Sequence, residues 1–182
     1  MASKYQQHVA KWENCTECEL CKKRRNVVLL RGSVPAPVLF VGEAPGESED
    51  VIGSPFVGPA GKLLDKLIKA AEITKFAATN VIACIPKDEL RKKIMTPPEF
   101  AVDACRHRLL ECFNLVKPKL IVWVGEEAAK YGPKALQLYP EFPAVVKIIH
   151  PAAILRMDVS QQGLAYQRCL VVLRDALDKE EG

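Results

Sequence analysis

Residues 38–61, VLFVGEAPGESEDVIGSPFVGPAG, hold the transition that sets the fold. A short run of β-formers, Val38, Leu39, Phe40 and Val41, ends at Gly42 and opens into a loop bearing Glu43, Pro45, Gly46 and three further acids. The loop returns through Gly53, Pro55, Phe56, Gly58, Pro59 and Gly61, which favour fixed turns and close backbone approach, and a helical pattern begins at about Ala60. Open α/β sheets place ligands at the carboxyl ends of their strands, so a site is expected here. The loop has neither the Lys and Ser/Thr of a phosphate loop nor the spaced glycines of a dinucleotide fingerprint, so a nucleotide cofactor is not indicated.

Working outward, Leu63, Leu64, Leu67, Ile68 and Ala71 recur at helical spacing over about residues 60–72, a stripe that must pack on a sheet. Upstream, a short helix is expected at residues 3–13 and a short edge strand at Val27 to Leu30. Downstream, a second strand is expected at about residues 77–83 with Asn80 inside it. Asn is a poor strand residue, and its amide is satisfied either by neighbouring backbone or by a ligand. Thr96 is placed to cap a helix whose first turn holds Pro97 and Pro98, with Glu99 three residues after the cap, running to about Val116. A buried strand is expected at residues 119–124, a short helix from Gly125 to near Gly132, a last strand at residues 145–149 and a final helix at about 160–178. Strands alternating with helices predict an α/β fold, a short, mainly parallel sheet covered on both faces. Glu43, Asn80 and His150 then fall at strand ends, able to converge on one pocket.

The 182 residues, 49% apolar and 26% charged, fit one globular domain. The formal charge of +4 permits nucleic-acid binding without demanding it. The polar start, MASKYQQHVAKWENC, and the absence of a long apolar run predict no secretory signal and no membrane partner, hence a soluble, cytoplasmic protein, expected to be a monomer. Seven cysteines in such a chain argue for metal binding or buried thiols rather than disulfides. Cys15, Cys18 and Cys21 stand three residues apart, Cys84 follows a strand and Cys105 lies in a helix. Spacing alone leaves a four-Cys zinc site and an iron–sulfur cluster equally open. Cys112 and Cys169 fall on apolar helical faces and read as small buried hydrophobes.

Two stretches read as nucleic-acid contacts. IPKDELRKKIMTPP, residues 85–98, is expected to be an exposed loop, either a solvated turn or a phosphate clamp through Arg91, Lys92 and Lys93. HPAAILR, residues 150–156, reads as an apolar loop tipped by a cation. Leu155 is suited to wedge between base steps and Arg156 to hold a phosphate, the way proteins expel a nucleotide from a duplex.

GEAPGESED, GSPFVGPAG, TNVIAC and HPAAILR, in that order and together with Cys15, Cys18, Cys84 and Cys105, resemble the uracil-DNA glycosylase superfamily, above all its family-four iron–sulfur members, over about residues 15–157. The resemblance implies a three-layer α/β/α sandwich, removal of uracil from DNA to leave an abasic site, and a structural [4Fe–4S] cluster on those four cysteines with Cys21 as competing donor. It also implies that Gly42 and Ala44 line the pocket, Phe56 stacks on the flipped base and Asn80 pairs with uracil O4 and N3–H. His150 would face O2, and Glu43 would position water at the sugar carbon.

The chain departs from the family pattern in places. Ala44 stands where other branches carry Asp or Asn, as in family four. The interval from Cys84 to Cys105 is longer than usual, with Pro86-Lys87-Asp88-Glu89-Leu90-Arg91 in place of Pro-Pro-x-Asn-Arg. Residues 91–95, with GSPFVGPAG, resemble a branch that crosslinks itself to uracil-DNA through a His, but Met95 occupies that place and lacks the nucleophile. The expected function is therefore a glycosylase acting on uracil-containing DNA. The alternatives are a uracil- or damaged-DNA binding module with weak turnover, and a cysteine-rich metal protein without a DNA role.

Overall fold

The alternation of apolar runs and helical stripes builds a single main sheet. In the computed structural model, which describes residues 2–88 and 93–181, the strands are β1 (Arg31–Gly32), β2 (Val38–Gly42), β3 (Phe76–Asn80), β4 (Lys87–Asp88), β5 (Lys93–Ile94), β6 (Leu120–Val124) and β7 (Ala144–Ile148). The main sheet has the order β1-β3-β2-β6-β7, with β1 antiparallel to β3 and every other pairing parallel. β4 and β5 form a separate antiparallel hairpin. The helices are α1 (Lys4–Trp12), α2 (Glu47–Ile52), α3 (Pro59–Ala70), α4 (Glu99–Val116), α5 (Glu126–Tyr131), α6 (Pro133–Leu136), α7 (Pro151–Ile154) and α8 (Val159–Glu181).

Every residue of β2 and β6 is buried, as central parallel strands require. Because side chains alternate across a strand, the sheet presents two apolar faces. Leu39, Val41, Ala77, Ile121 and Trp123 pack with Val102, Leu109, Phe113 and Val116 of α4 and Trp12 of α1. Phe40, Ala78, Val122 and Val124 pack on the other face with Leu64, Leu67 and Ile68 of α3 and Cys169, Leu173 and Ala176 of α8. The result is the three-layer α/β/α arrangement, with the α3 and α8 stripes where their periodicity put them. α1 is fastened to α4 through Glu111, which takes hydrogen bonds from Trp12 Nε1 (2.7 Å) and Lys11 and pairs with His8 Nδ1 (3.1 Å). At the far side β7 is an edge strand, its only pairing among the described residues being with β6. No helix is long and apolar enough to cross a membrane among the described residues.

Several local expectations change. Val27 to Leu30 is not a strand. It runs beside the segment after β3, buried from Val28 to Leu30, with Val28 N–H donating to Ala83 O at 2.8 Å, and pairing starts only at Arg31. The second strand stops at Asn80 rather than about residue 83, because Val81 and Ile82 turn to donate their N–H groups to Gly42 O and Glu43 O (2.8 and 3.2 Å). Thr96 does not cap α4. Pro98 occupies the N-cap in extended backbone with no side-chain bond, and Glu99 is the first helical residue. The expected exposed loop at residues 85–98 contains the β4/β5 hairpin. The HPAAILR loop is a turn of helix, α7, capped by His150 itself. The acidic part of the opening loop is likewise helical, as α2.

The connector after the first cysteines is tied to α2 by one buried carboxylate. Asp50, 4% exposed, accepts from Arg25 N–H (2.9 Å) and Asn26 N–H (3.4 Å), while Asn26 Nδ2 donates to the carbonyls of Asp50 (2.7 Å) and Val51 (3.1 Å). Asp50→Ala leaves buried donors unmet and should lower stability by about 1–3 kcal/mol, read as a shift in urea midpoint at unchanged slope. An unshifted midpoint would mean water replaces the carboxylate.

Candidate active site

The strand order places the ends of β3, β2, β6 and β7 side by side along the carboxyl edge of the sheet. Parallel register sets Gly42 directly opposite Asn80. A Cβ on Gly42 would collide with both Asn80 Oδ1 and Phe56 Cζ, so the missing side chain is what lets the amide and the ring approach each other. Gly125, at φ +98°, does the same one strand over: a Cβ there would lie 2.9 Å from His150 Cβ and 3.2 Å from its Cδ2. His150 therefore leans over the end of β6 toward β2. Gly42, Glu43, Asn80 and His150 thus lie along one edge with Phe56 above it; Ala44 follows Glu43, half-buried.

Asn80 is 3% exposed. Its backbone carbonyl is taken by Arg108 (2.5 Å), and no protein group among the described residues takes up its side-chain amide. Of the two sequence alternatives, backbone satisfaction is therefore not what the structure shows. The atoms of that amide are not among the side-chain atoms sealed from solvent without a partner, so it is open to a ligand at the pocket.

Phe56 is buried at φ +55°, a left-handed conformation that an aromatic residue rarely adopts and that must be held by its surroundings. Glu49 does this. Its Oε1 accepts from Val57 N–H (2.9 Å) and Gly58 N–H (2.8 Å), and its Oε2 accepts from Gly46 N–H (3.1 Å), so one carboxylate closes the loop on both sides of the ring. The sequence reading missed this residue. Its signal was an acid in the first turn of a helix that was read as loop.

His150 Nδ1 accepts from Ala152 N–H at 3.1 Å, which fixes the neutral tautomer with its proton on Nε2. Burial, then Arg156, holds the imidazole pKa below its ordinary value, with Glu49 pulling weakly the other way. Burial, then Glu127, pushes the half-buried Glu43 carboxyl up. The edge thus offers a neutral N–H donor and a carboxylate of enhanced basicity. Leu155 and Arg156 project from the end of α7 into solvent. Lys93 and Met95 are exposed on the hairpin side, where Lys87 pairs with Glu47 of α2 at 2.9 Å. Arg91 and Lys92 lie outside the described residues.

Behind β3, Cys15, Cys18, Cys21, Cys84 and Cys105 line one cavity with Trp12, Arg24 and Arg108. Burial pushes the Cys84 thiol up to about 12, with Cys105, Cys18 and Cys15 adding to the rise and Arg24 opposing it. No three His, Cys, Asp or Glu side chains among the described residues stand close enough to share one metal ion. Five thiols around one cavity, with Glu17 beside them, are a donor set that suits a thiophilic metal centre, an iron–sulfur cluster or zinc alike. Cys112 and Cys169 are buried, as expected, although Cys112 Sγ also lies 3.6 Å from Arg108 Nη1 and from His8 Nε2.

The uracil DNA glycosylase superfamily model matches residues 31–174. The chain belongs to that superfamily. It is 40% identical over 121 residues to the type-4 uracil-DNA glycosylase of Sulfurisphaera tokodaii, covering 65% of this chain and 53% of that protein. It is 34% identical over 163 residues to the enzyme of the same name from Pyrobaculum aerophilum, covering 79% and 81%. The match thus spans about half the length of the first relative. The crystal structure of wild-type Pedobacter heparinus SMUG2 shares the fold, with a TM-score of 0.60 at 14% identity over 80% of this chain and 77% of that one.

The state of His150 is open to test by stability. An unfolded histidine protonates near its ordinary pKa, 6.5, whereas folded His150 does so only at lower pH. Between the two the unfolded chain binds more protons, so this residue's contribution to stability falls as pH drops through that window. His150→Asn keeps a capping side chain but cannot titrate. Its urea midpoint should fall less than that of the wild type between about pH 7 and about pH 5. His8, also depressed by burial, is common to both proteins and cancels. Equal falls would show that His150 titrates normally.

Proposed function

We propose that this protein is a DNA repair enzyme that flips uracil out of DNA and hydrolyses its N-glycosidic bond, leaving an abasic site. The unmet Asn80 amide, set against the Phe56 ring over Gly42, carries the reading. An amide offers both a donor and an acceptor, the complement of uracil O4 and N3–H, while Phe56 supplies a stacking face. Cytosine presents a donor where uracil presents O4, so a wrong base leaves buried polar groups unpaired.

As the bond between uracil N1 and sugar C1′ breaks, its electron pair leaves with the base and charge gathers on uracil O2. The Nε2 proton of neutral His150 is a donor for that charge, stronger in the transition state than in the ground state. The sugar becomes cation-like. Glu43 stabilises it and orients water, which adds at C1′ and passes its proton to the Glu43 carboxylate. Leu155 fills the vacated stack, and Arg156, with Arg91, Lys92 and Lys93, grips the phosphates. Cys15, Cys18, Cys84 and Cys105 hold a [4Fe–4S] cluster, with Cys21 the competing donor lining the same cavity. Those cysteines would, on binding the cluster, tie the N-terminal segment to the turn after β3 and to α4.

Incubation with a uracil-containing oligonucleotide and then alkali should cut the strand, and a matched uracil-free strand should stay whole. His150→Ala should slow release by about two to three orders of magnitude in single turnover. Tight uracil-specific binding without cleavage would establish the binding-module alternative instead.

Replacing Arg91, Lys92 and Lys93 by Ala should weaken binding to all sequences and reduce the log–log salt slope by up to about three. An unchanged slope would make the hairpin a solvated turn. Because Met95 has no nucleophilic nitrogen, the unmodified protein should form no denaturant-resistant adduct with DNA.

A further inference from the structure

α4 buries a cation in the layer behind the base pocket. Arg108 is 1% exposed. Its Nη2 donates to the carbonyls of Asn80 (2.5 Å) and Val81 (2.8 Å), and its Nη1 to Thr79 Oγ1 (3.0 Å) and Cys112 Sγ (3.6 Å). Thr79 Oγ1 in turn donates to Leu29 O at 2.5 Å. Nε is buried without a partner, and no carboxylate among the described residues pairs with the guanidinium. An arginine cannot shed its proton, so a buried one without a counter-charge is strongly unfavourable.

The counter-charge has a natural location. Arg108 also lines the cysteine cavity. Four thiolates outnumber the positive charge of an iron–sulfur core, so the loaded cage is anionic. One planar side chain therefore touches both the cage and the peptides that aim the Asn80 amide.

We propose that Arg108 is a positioning residue that couples occupancy of the cysteine cage to recognition of uracil, its charge facing the cage while its fork fixes the Asn80 and Val81 peptides. This rests on the proposed function. A side chain that only bolted α4 to β3 would hold the fold without linking the two sites. Coupling, in contrast, is reciprocal: a filled cage favours uracil, and bound uracil must retain the filled cage by the same factor.

The test uses holoprotein and an oligonucleotide bearing one 2′-fluoro-2′-deoxyuridine, whose fluorine disfavours the sugar cation and blocks cleavage. The control strand carries 2′-fluoro-2′-deoxycytidine at that place. Iron loss to an added chelator should be slower with the uracil strand than with the cytosine strand by about fivefold or more in the wild type. Arg108→Lys keeps the charge but loses the fork. It should retain iron, lose the uracil-specific protection and drop kcat/KM on a uracil strand by about tenfold. Equal iron loss with both strands in the wild type overturns the proposal whether or not the variant folds, as does protection that survives in Arg108→Lys. Wild-type protein that holds no iron or frees no uracil defeats the underlying reading itself, and that result is distinct from both.

Discussion

The parallel pairing of Gly42 with Asn80 is the constraint on which the rest of the site depends. A shift of one residue would turn the Asn80 side chain to the opposite face of the sheet. With the register as it is, an amide emerges where β2 offers only a hydrogen atom, and an aromatic ring occupies the space above. The apolar residues on both faces of β2 enforce that register, since slipping would misplace Leu39 and Val41 on one side and Val38 and Phe40 on the other. Core packing and site geometry are one requirement here.

Around that pairing, the pocket is held by backbone groups rather than by side chains touching one another. Glu49 gathers three N–H groups, Arg108 takes two carbonyls and His150 accepts the N–H of Ala152. Each is a charged or polar side chain tied to main chain, and Glu49 alone bridges both sides of a loop. Such bonds leave little rotational freedom in the segment they close, which suits a site that must greet a flat, rigid base with its polar groups already aimed.

Much of this was legible in the sequence, and the rest was hidden for identifiable reasons. β2, β6, α3 and α8 follow from apolar runs and stripes, because burial on one or both faces writes itself into local periodicity. The residues of the pocket edge were legible because Gly42, Asn80 and His150 are unlike the apolar strands they end. The end of β3 was not, since Val81, Ile82 and Ala83 are apolar but buried in bends whose N–H groups turn to β2 and whose carbonyl turns to Val28. α2 was obscured by the acids that read as loop. One of them, Asp50, is buried, and another, Glu49, is the clasp of the Phe56 turn. Arg108 sits in a helix that reads as ordinary, and nothing in local spacing announces that its partners come from β3. Whether five cysteines meet is likewise a long-range fact, which spacing could suggest only for the first three.

The open flank of the sheet at β7 has a consequence for how molecules of this protein behave toward one another. A terminal strand with unsatisfied main-chain groups is a template onto which another chain can zip. Pro143, just before β7, contributes no N–H to such a template, and Lys147 within the strand carries its ammonium to Glu126 at 2.7 Å. The edge itself is short, a ribbon of five residues. A proline at the entry, a charged side chain within and a short length are the features that disfavour strand addition, and here they flank the exposed Val145.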